Sequence, residues 1–259
     1  MRGALASLAY WPLAHARGFL RLWGESGPLL ALAVTAANLL RRRRHFWVRL
    51  GGFVIEIRAG TPDLMVALDS FGGEFEPLAR FPDSGGLIID AGGYIGTAAL
   101  ELRRLFPQSR IVCLEPSAEN FELLRRNVAD APNIAVVQAA LAAAPGDVAL
   151  RDAGRGEWGF SIAQPGRALG TVPATTVTSI LAREGADRLF VLKLDVEGAE
   201  RQILESSGPW MSLTEIVVAE LHEHLVPGTE AAFAAATVGR ANSRLPGEKV
   251  LSVRSAPEP

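Results

Sequence analysis

The chain has 259 residues, 49% of them hydrophobic and 21% charged, and a net charge of −2. That length buries one large core, or one domain with an extension, and the composition is that of a globular protein rather than a disordered or fibrous one. The charge balance excludes a globally basic nucleic-acid binder, and the single cysteine, Cys113, excludes an internal disulfide and a cysteine-based zinc cluster.

Charge is unevenly spread along the chain. Residues 1–50 hold eight arginines against one acid, Glu25, which leaves the remainder at −9. Only two lysines, Lys193 and Lys249, stand beside 24 arginines, a bias that reads as composition rather than function. Residues 2–16 join a positive start, an apolar stretch and alanines at 14 and 16, the pattern of an export signal. Trp11-Pro12 interrupts that stretch and Arg17 and Arg21 follow at once, which argues against export and for a cytoplasmic chain. The next apolar segment, GPLLALAVTAANLL at 27–40, is too short to span a bilayer, which takes about 20 residues. Ser26 as cap and Pro28 in the first turn mark a helix start, and the four arginines at 41–44 suit the C-terminal end of its dipole. Two roles fit this helix: packing on the main domain with a solvated basic end, or lying on an anionic lipid surface as a peripheral contact of residues 1–45 with the inner membrane.

GGFVIEIRAG at 51–60 reads as a strand, and Thr61-Pro62-Asp63 opens a short helix to about Phe71. The turn PDSGG at 82–86 is a boundary, so the expected organisation is a basic helical extension (1–50), a strand–helix lead-in (51–81) and a main domain (82–259). Strands and helices then alternate. LIIDAGG is a strand and its turn, TAALELRRLF a helix, RIVCLEP a strand, AENFELLRRNVAD a helix, and residues 133–138 a third strand. DVALRD and TVPATTV read as short extra strands around the glycine-rich loop 154–166, where Trp158 and Phe160 lie between glycines. That loop is expected either to cover a ligand or to be a disordered surface segment. RLFVLKLD, EGAERQILES and EIVVAELH complete the alternation as strand, helix and strand, whereas the C-terminal region shows no clear final pair of strands. Nearly continuous apolar strands between amphipathic helices predict an α/β fold, a mostly parallel sheet with helices on both faces. Ligands bind such sheets beyond the carboxyl ends of the strands.

The candidate site residues fall at those ends. Asp90 closes the first strand, Gly92 and Gly96 let the turn tighten, and Glu115, fixed by Pro116, closes the second strand. Residues 91–96, AGGYIG, approximate a dinucleotide fingerprint, so a nicotinamide-dependent oxidoreductase is the rival reading. Pyrophosphate docks on the amides of such a turn, and a carboxylate at Asp90 would repel it. S-adenosylmethionine has no phosphate and carries an ammonium and a sulfonium, so Asp90 favours it, with Glu115 accepting the ribose hydroxyls.

DAGGYIG, LEPSAENFELLRRN, LKLDVEGAE and VVAELH, in that order, resemble the successive motifs of FkbM-type methyltransferases over about residues 50–225. The resemblance implies a Rossmann-like, seven-stranded class I fold, S-adenosylmethionine as cofactor, and methylation of a hydroxyl on a sugar, glycan or secondary metabolite by a bacterial enzyme. It extends the cofactor site to Gly93 and Tyr94, where the family commonly has Ala-Asn.

Methyl transfer to oxygen needs close positioning and help in removing the hydroxyl proton. On their strands Lys193 and Asp195 share one face, as do Glu220 and His222. Lys193 with Asp195 is read either as part of the catalytic machinery or as a structural ion pair, Glu197 as a further acid at a helix start, and His222 as the neutral-pH base. Asp195, Glu197, Glu220 and His222 suit a divalent ion as well, but no spacing rule demands one and no metal is assigned. The remaining alternative is a non-catalytic protein that keeps the fold and the cofactor.

Overall fold

The computed structural model describes residues 16–245 and 249–255, so the export-signal pattern at 2–16 falls almost entirely outside the described residues. The chain divides into two compact units between Pro77 and Leu78.

In the first unit, residues 16–26 (α1) and Pro28–Leu39 (α2) are helical and are followed by a hairpin of Arg44–Leu50 (β1) and Phe53–Ala59 (β2). Gly51 and Gly52 form its turn with φ of +63° and +85°, the conformation that a two-residue hairpin needs at both central positions. The sequence reading missed β1, because the arginines at 41–44 were given to the preceding helix. That helix ends at Leu39, no basic residue lies in its last turn, and Arg44 begins the strand. Ser26 is not the cap of α2 either: Gly27 is, and the Ser26 hydroxyl exchanges two hydrogen bonds with the backbone of Arg49 instead. After β2, Asp63–Asp69 (α3) presents Asp63 to Arg58 in a fully buried bidentate pair, Nε and Nη2 each donating at 2.9 Å.

The second unit is built on seven strands: Leu87–Ala91 (β3), Arg110–Leu114 (β4), Ile134–Val137 (β5), Leu189–Leu194 (β10), Thr214–Glu220 (β11), Ala241–Arg244 (β12) and Lys249–Val253 (β13). Their order across the sheet is β12-β13-β11-β10-β3-β4-β5. The first five are parallel to one another, and β13 runs antiparallel between β11 and β12. β3 and β10 are buried at every residue, as strands covered on both faces must be. Helices Thr97–Leu105 (α4), Ala118–Asn127 (α5), Val177–Glu184 (α6), Glu200–Glu205 (α7), Gly208–Met211 (α8) and Thr229–Ala236 (α9) fill the connections. The final strand pair was not legible: β12, ANSR, is exposed throughout and has neither alternation nor β-branching, so its strand character comes from pairing with β13.

Between β5 and β10 the chain adds a second sheet of Ala140–Leu141 (β6), Gly146–Asp152 (β7), Phe160–Ser161 (β8) and Arg167–Thr175 (β9), in the order β6-β9-β7-β8. The extra strands expected around 146–175 are therefore present, and the glycine-rich loop lies between two of them.

Candidate active site

From β3 the chain runs outward through β4 to β5, then returns to β10 on the other side of β3. At that switch the parallel register sets Asp90 beside Lys193 on one side and Cys113 on the other. Lys193 Nζ lies 3.0 Å from Asp90 Oδ1, and the Cys113 thiol donates to Asp90 Oδ2 at 3.3 Å. Asp90 is fully buried, so a permanent partner must meet its charge. The sequence reading gave this carboxylate to a cationic ligand. The cation the structure puts against it is Lys193, which also donates to the carbonyls of Gly92 (3.0 Å) and Ala91 (3.4 Å). Asp90 thus stands in ion-pair contact with Lys193, which bonds the turn that follows β3, while the buried Asp90 Oδ1 accepts no hydrogen bond among the described residues. Burial, reinforced by Asp90, pushes the Cys113 thiol well up, which makes it an inert donor rather than a nucleophile.

The amides of that turn are spent inside the protein. Gly92 and Gly93 both donate to the Leu114 carbonyl (3.1 and 2.8 Å), Tyr94 to Glu115 Oε2 (2.9 Å) and Gly96 to the Gly93 carbonyl (2.8 Å). A pyrophosphate would need those N–H groups, so their commitment, more than the charge of Asp90, tells against a dinucleotide. Close approach explains the glycines: a Cβ on Gly92 would sit 1.8 Å from the Asp195 carbonyl oxygen, and one on Gly93 2.3 Å from Cys113 Sγ. Gly96, with φ of +90°, starts α4 against Leu124. Tyr94 itself takes φ of +49°, unusual for a bulky residue. Glu115 stands just past β4, with Oε1 accepting from Ser117 N (2.9 Å) and Asn120 Nδ2 (3.4 Å), and Pro116 fixes the backbone between it and the Ser117 cap of α5. Burial lifts its carboxyl to about 7 against the pull of the Ser117, Tyr94 and Asn120 hydrogen bonds. Each oxygen of a carboxylate accepts up to two hydrogen bonds; Oε1 already accepts two and Oε2 one, so Oε2 keeps one position for a ribose hydroxyl.

Beyond the ends of β10 and β11 stands a second group. Asp195 follows β10, Glu220 ends β11, His222 comes two residues later, and Glu197 turns the chain toward α7 with a strained φ of +56°. Glu200, at the start of α7 and fully buried, accepts from Val196 N (2.9 Å) and Gly198 N (2.8 Å) and meets His222 Nδ1 at 2.8 Å. An ionised carboxylate can only accept, which assigns a proton to Nδ1 and turns Nε2 toward Glu197 Oε2 (3.6 Å) and Glu220 Oε1 (3.7 Å). Glu197 Oε2 is 2.8 Å from Arg155 Nη1, yet the contact is poorly aligned and leaves the oxygen without a hydrogen bond. Glu220 Oε2 is held by Lys249, and Asp195 Oδ2 lies 3.6 Å from Lys193. Both lysines of the chain therefore lie in this one site. A compact ammonium is not interchangeable with a planar guanidinium in such packing.

Charge balance separates the members of the group. Burial raises Asp195, but Lys193, Lys249 and His222 outweigh it and hold its carboxyl below the ordinary range. Burial lifts Glu197 to about 7, against the pull of His222 and Arg155 and with the help of Asp195. For His222, burial opposes the charged ring, but the bond and charge of Glu200, with Asp195 and Glu197, lift it to about 9. The ring therefore holds its proton at neutral pH, which corrects the expectation that His222 is a neutral-pH base: too many carboxylates surround it.

The loop 154–166 joins the two groups. Asn120 Nδ2 donates to Glu157 O (2.9 Å), the Ser161 hydroxyl donates to Glu197 O (2.6 Å) and accepts from Ala163 N and Gln164 N, and Gln164 Nε2 donates to Leu225 O (3.2 Å). The loop is thus tied by hydrogen bonds to both groups rather than free. Sequence reasoning misses Arg155, Asn120, Ser161 and Lys249 as members of the site. Glu200, three residues after Glu197, is legible there only as an acid at a helix start, where the dipole alone favours it.

The methyltransferase FkbM domain family matches residues 90–235, a span that includes every site residue above except Lys249. "Methyltransferase 1" of Beauveria bassiana (strain ARSEF 2860) is 42% identical over 62 residues, and the match spans 24% of either chain. Among solved structures, the N-terminal domain of human METTL16 is similar over 90% of this chain and 83% of that one, at 12% identity and a TM-score of 0.47. A putative caffeoyl-CoA O-methyltransferase from Staphylococcus aureus is similar over 70% and 83%, at 8% identity and a TM-score of 0.45. The fold rests on the strand order itself: five parallel strands reversing direction of travel at β3, with β13 antiparallel between β11 and β12, make the seven-stranded class I methyltransferase sheet. With the family match covering more than half of its length, the chain belongs to the FkbM methyltransferase family.

Proposed function

We propose that the protein transfers the methyl group of S-adenosylmethionine to a hydroxyl oxygen of a small-molecule or glycan acceptor. The family and fold imply that cofactor, and the described residues offer its ribose the Glu115 carboxylate. The observation that carries the oxygen acceptor is the proton-handling group of Asp195, Glu197, Glu220 and His222 beside the switch point, because a hydroxyl must lose its proton as the methyl group arrives. Asp90 and Lys193 act as positioning residues that hold the glycine turn. The test is incubation with methyl-labelled cofactor and a glycan or lipid extract, with the label located by mass spectrometry. Label in O-methyl ethers supports the reading, and label only on nitrogen or carbon sinks it.

The N-terminal unit supports a peripheral membrane contact. Helix α2 packs through Ala31, Val34 and Ala37 but leaves its larger apolar residues Leu29 (83%), Leu32 and Leu39 exposed, and Leu40 and the basic segment 41–44, which follow, are exposed too. No helix among the described residues is long and apolar enough to cross a membrane. Exposed leucines next to arginines suit an anionic lipid surface. Flotation with phosphatidylserine-containing vesicles should retain the full chain, fade with added salt, and fall when Leu29 and Leu32 are changed to serine. Equal recovery with neutral vesicles would exclude the electrostatic half of this reading.

A further inference from the structure

Three members of the cluster come together beyond the strand ends. Glu220 is held through Oε2 by Lys249 and His222 through Nδ1 by Glu200, while Asp195 Oδ2 faces Lys193 at 3.6 Å. One potential ligand atom from each lies within 4.8 Å of the other two. His222 is 3% exposed, and its Nε2 has carboxylate oxygens at 3.6 and 3.7 Å, beyond hydrogen-bond reach. A buried ring nitrogen aimed at carboxylates without bonding to them is the arrangement a cation completes.

We propose that Asp195, Glu220 and His222 Nε2 bind one divalent cation of the manganese or magnesium class. The donor set, two carboxylates and one imidazole whose Nε2 gives up its proton as the cation binds, suits a hard to borderline ion. Glu200 supplies the outer support that metal-bound histidines characteristically have: it accepts a hydrogen bond from Nδ1–H, fixes the ring and is itself fixed by the amides of Val196 and Gly198. Three protein ligands leave room in an octahedral shell for two oxygens of an acceptor. In its purpose this inference rests on the methyltransferase reading and narrows it: the acceptor is a chelating one, with a second oxygen adjacent to the reacting hydroxyl, as in a sugar diol. The cation would lower the hydroxyl's proton affinity, so that the proton leaves to water or a carboxylate such as Glu197 and the alkoxide oxygen takes the methyl group from sulfur.

The site is testable without cofactor or acceptor. Full-length protein freed of metal by a chelator is titrated with Mn²⁺, and free Mn²⁺ is followed by its electron paramagnetic resonance signal. One Mn²⁺ per chain is expected, displaced by excess Mg²⁺. Asp195→Asn and Glu220→Gln, which keep side-chain shape, should each weaken it at least about tenfold, and Glu200→Gln by about 10–100-fold through His222. Circular dichroism of the same variants separates loss of ligand from loss of fold. The absence of stoichiometric Mn²⁺ binding to the folded parent chain, or binding that all three variants retain, overturns the proposal. Mn²⁺ binding in a protein that transfers no methyl group would keep the site and lose the function. Full methyl transfer in chelator would do the reverse.

Discussion

Removing the Asp90 carboxylate while Lys193 remains leaves an ammonium buried with backbone carbonyls and a more distant Asp195. Asp90→Ala is therefore expected to cost about 3–5 kcal/mol of stability, the usual consequence of breaking one half of a buried pair, measured by urea unfolding. Unchanged stability with weakened cofactor binding would return Asp90 to direct ligand contact. Glu115 has the opposite profile. Glu115→Ala should weaken S-adenosylmethionine by about 1.5–3 kcal/mol in calorimetry, because a charged hydrogen bond to the ribose is lost. The glycines divide in the same way by surroundings. Gly92→Ala drives a methyl group into the Asp195 carbonyl and should cost upward of about 3 kcal/mol, whereas Gly154→Ala, with similar positive φ but open space around it, should cost only about 1–2 kcal/mol of backbone strain. At this scale the sequence showed which residues stand at strand ends. It did not show that Lys193 meets Asp90, since 102 intervening positions carry no mark of the register that pairs them.

Among the elements, the loop 154–166 depends most on context. Its glycines and aromatic residues fit a cover or a free segment equally well. Ser161 tells against the free segment, with one hydroxyl tying Glu197 O to the amides of Ala163 and Gln164. Ser161→Ala should accelerate amide hydrogen exchange at residues 163 and 164 by about tenfold, corresponding to the roughly 1–1.5 kcal/mol of a lost hydrogen-bond set, and leave exchange in β3 and β10 untouched. Equal protection in the variant would mean that the loop is held by Arg155 and Gln164 instead. The hairpin β1–β2 shows the same dependence: the apolar run Phe46-Trp47-Val48 breaks any strand alternation in RHFWVRL, the arginines before it suit a helix end, and pairing with β2 settles the choice.

For the whole molecule, three groups that titrate between about pH 4.5 and 9 bind protons more tightly than they do in an unfolded chain: Glu115 and Glu197, raised from 4.5 to about 7, and His222, raised from 6.5 to about 9. A carboxyl raised in this way favours the fold below 4.5 and loses that advantage as pH climbs toward 7; the histidine contribution is full below 6.5 and is lost as pH passes 9. Both windows have the same sign, so the free protein should grow less stable as pH rises from about 5 to 9, seen as a falling melting temperature. Cofactor that requires ionised Glu115 should bind more weakly at pH 6 than at pH 8, so affinity and stability run in opposite directions. A melting temperature that rises across this range would contradict the burial assigned to these three groups. The sequence by itself determined the alternation of strands and helices, the glycine turn after β3 and the acids at the strand ends, because hydrophobic periodicity and turn chemistry are local and written residue by residue. Only the tertiary structure decided that both lysines converge on those acids, that Glu200 orients His222, and that β12 and β13 complete the sheet. Those facts depend on register and packing between segments far apart in the chain, where no local propensity reaches.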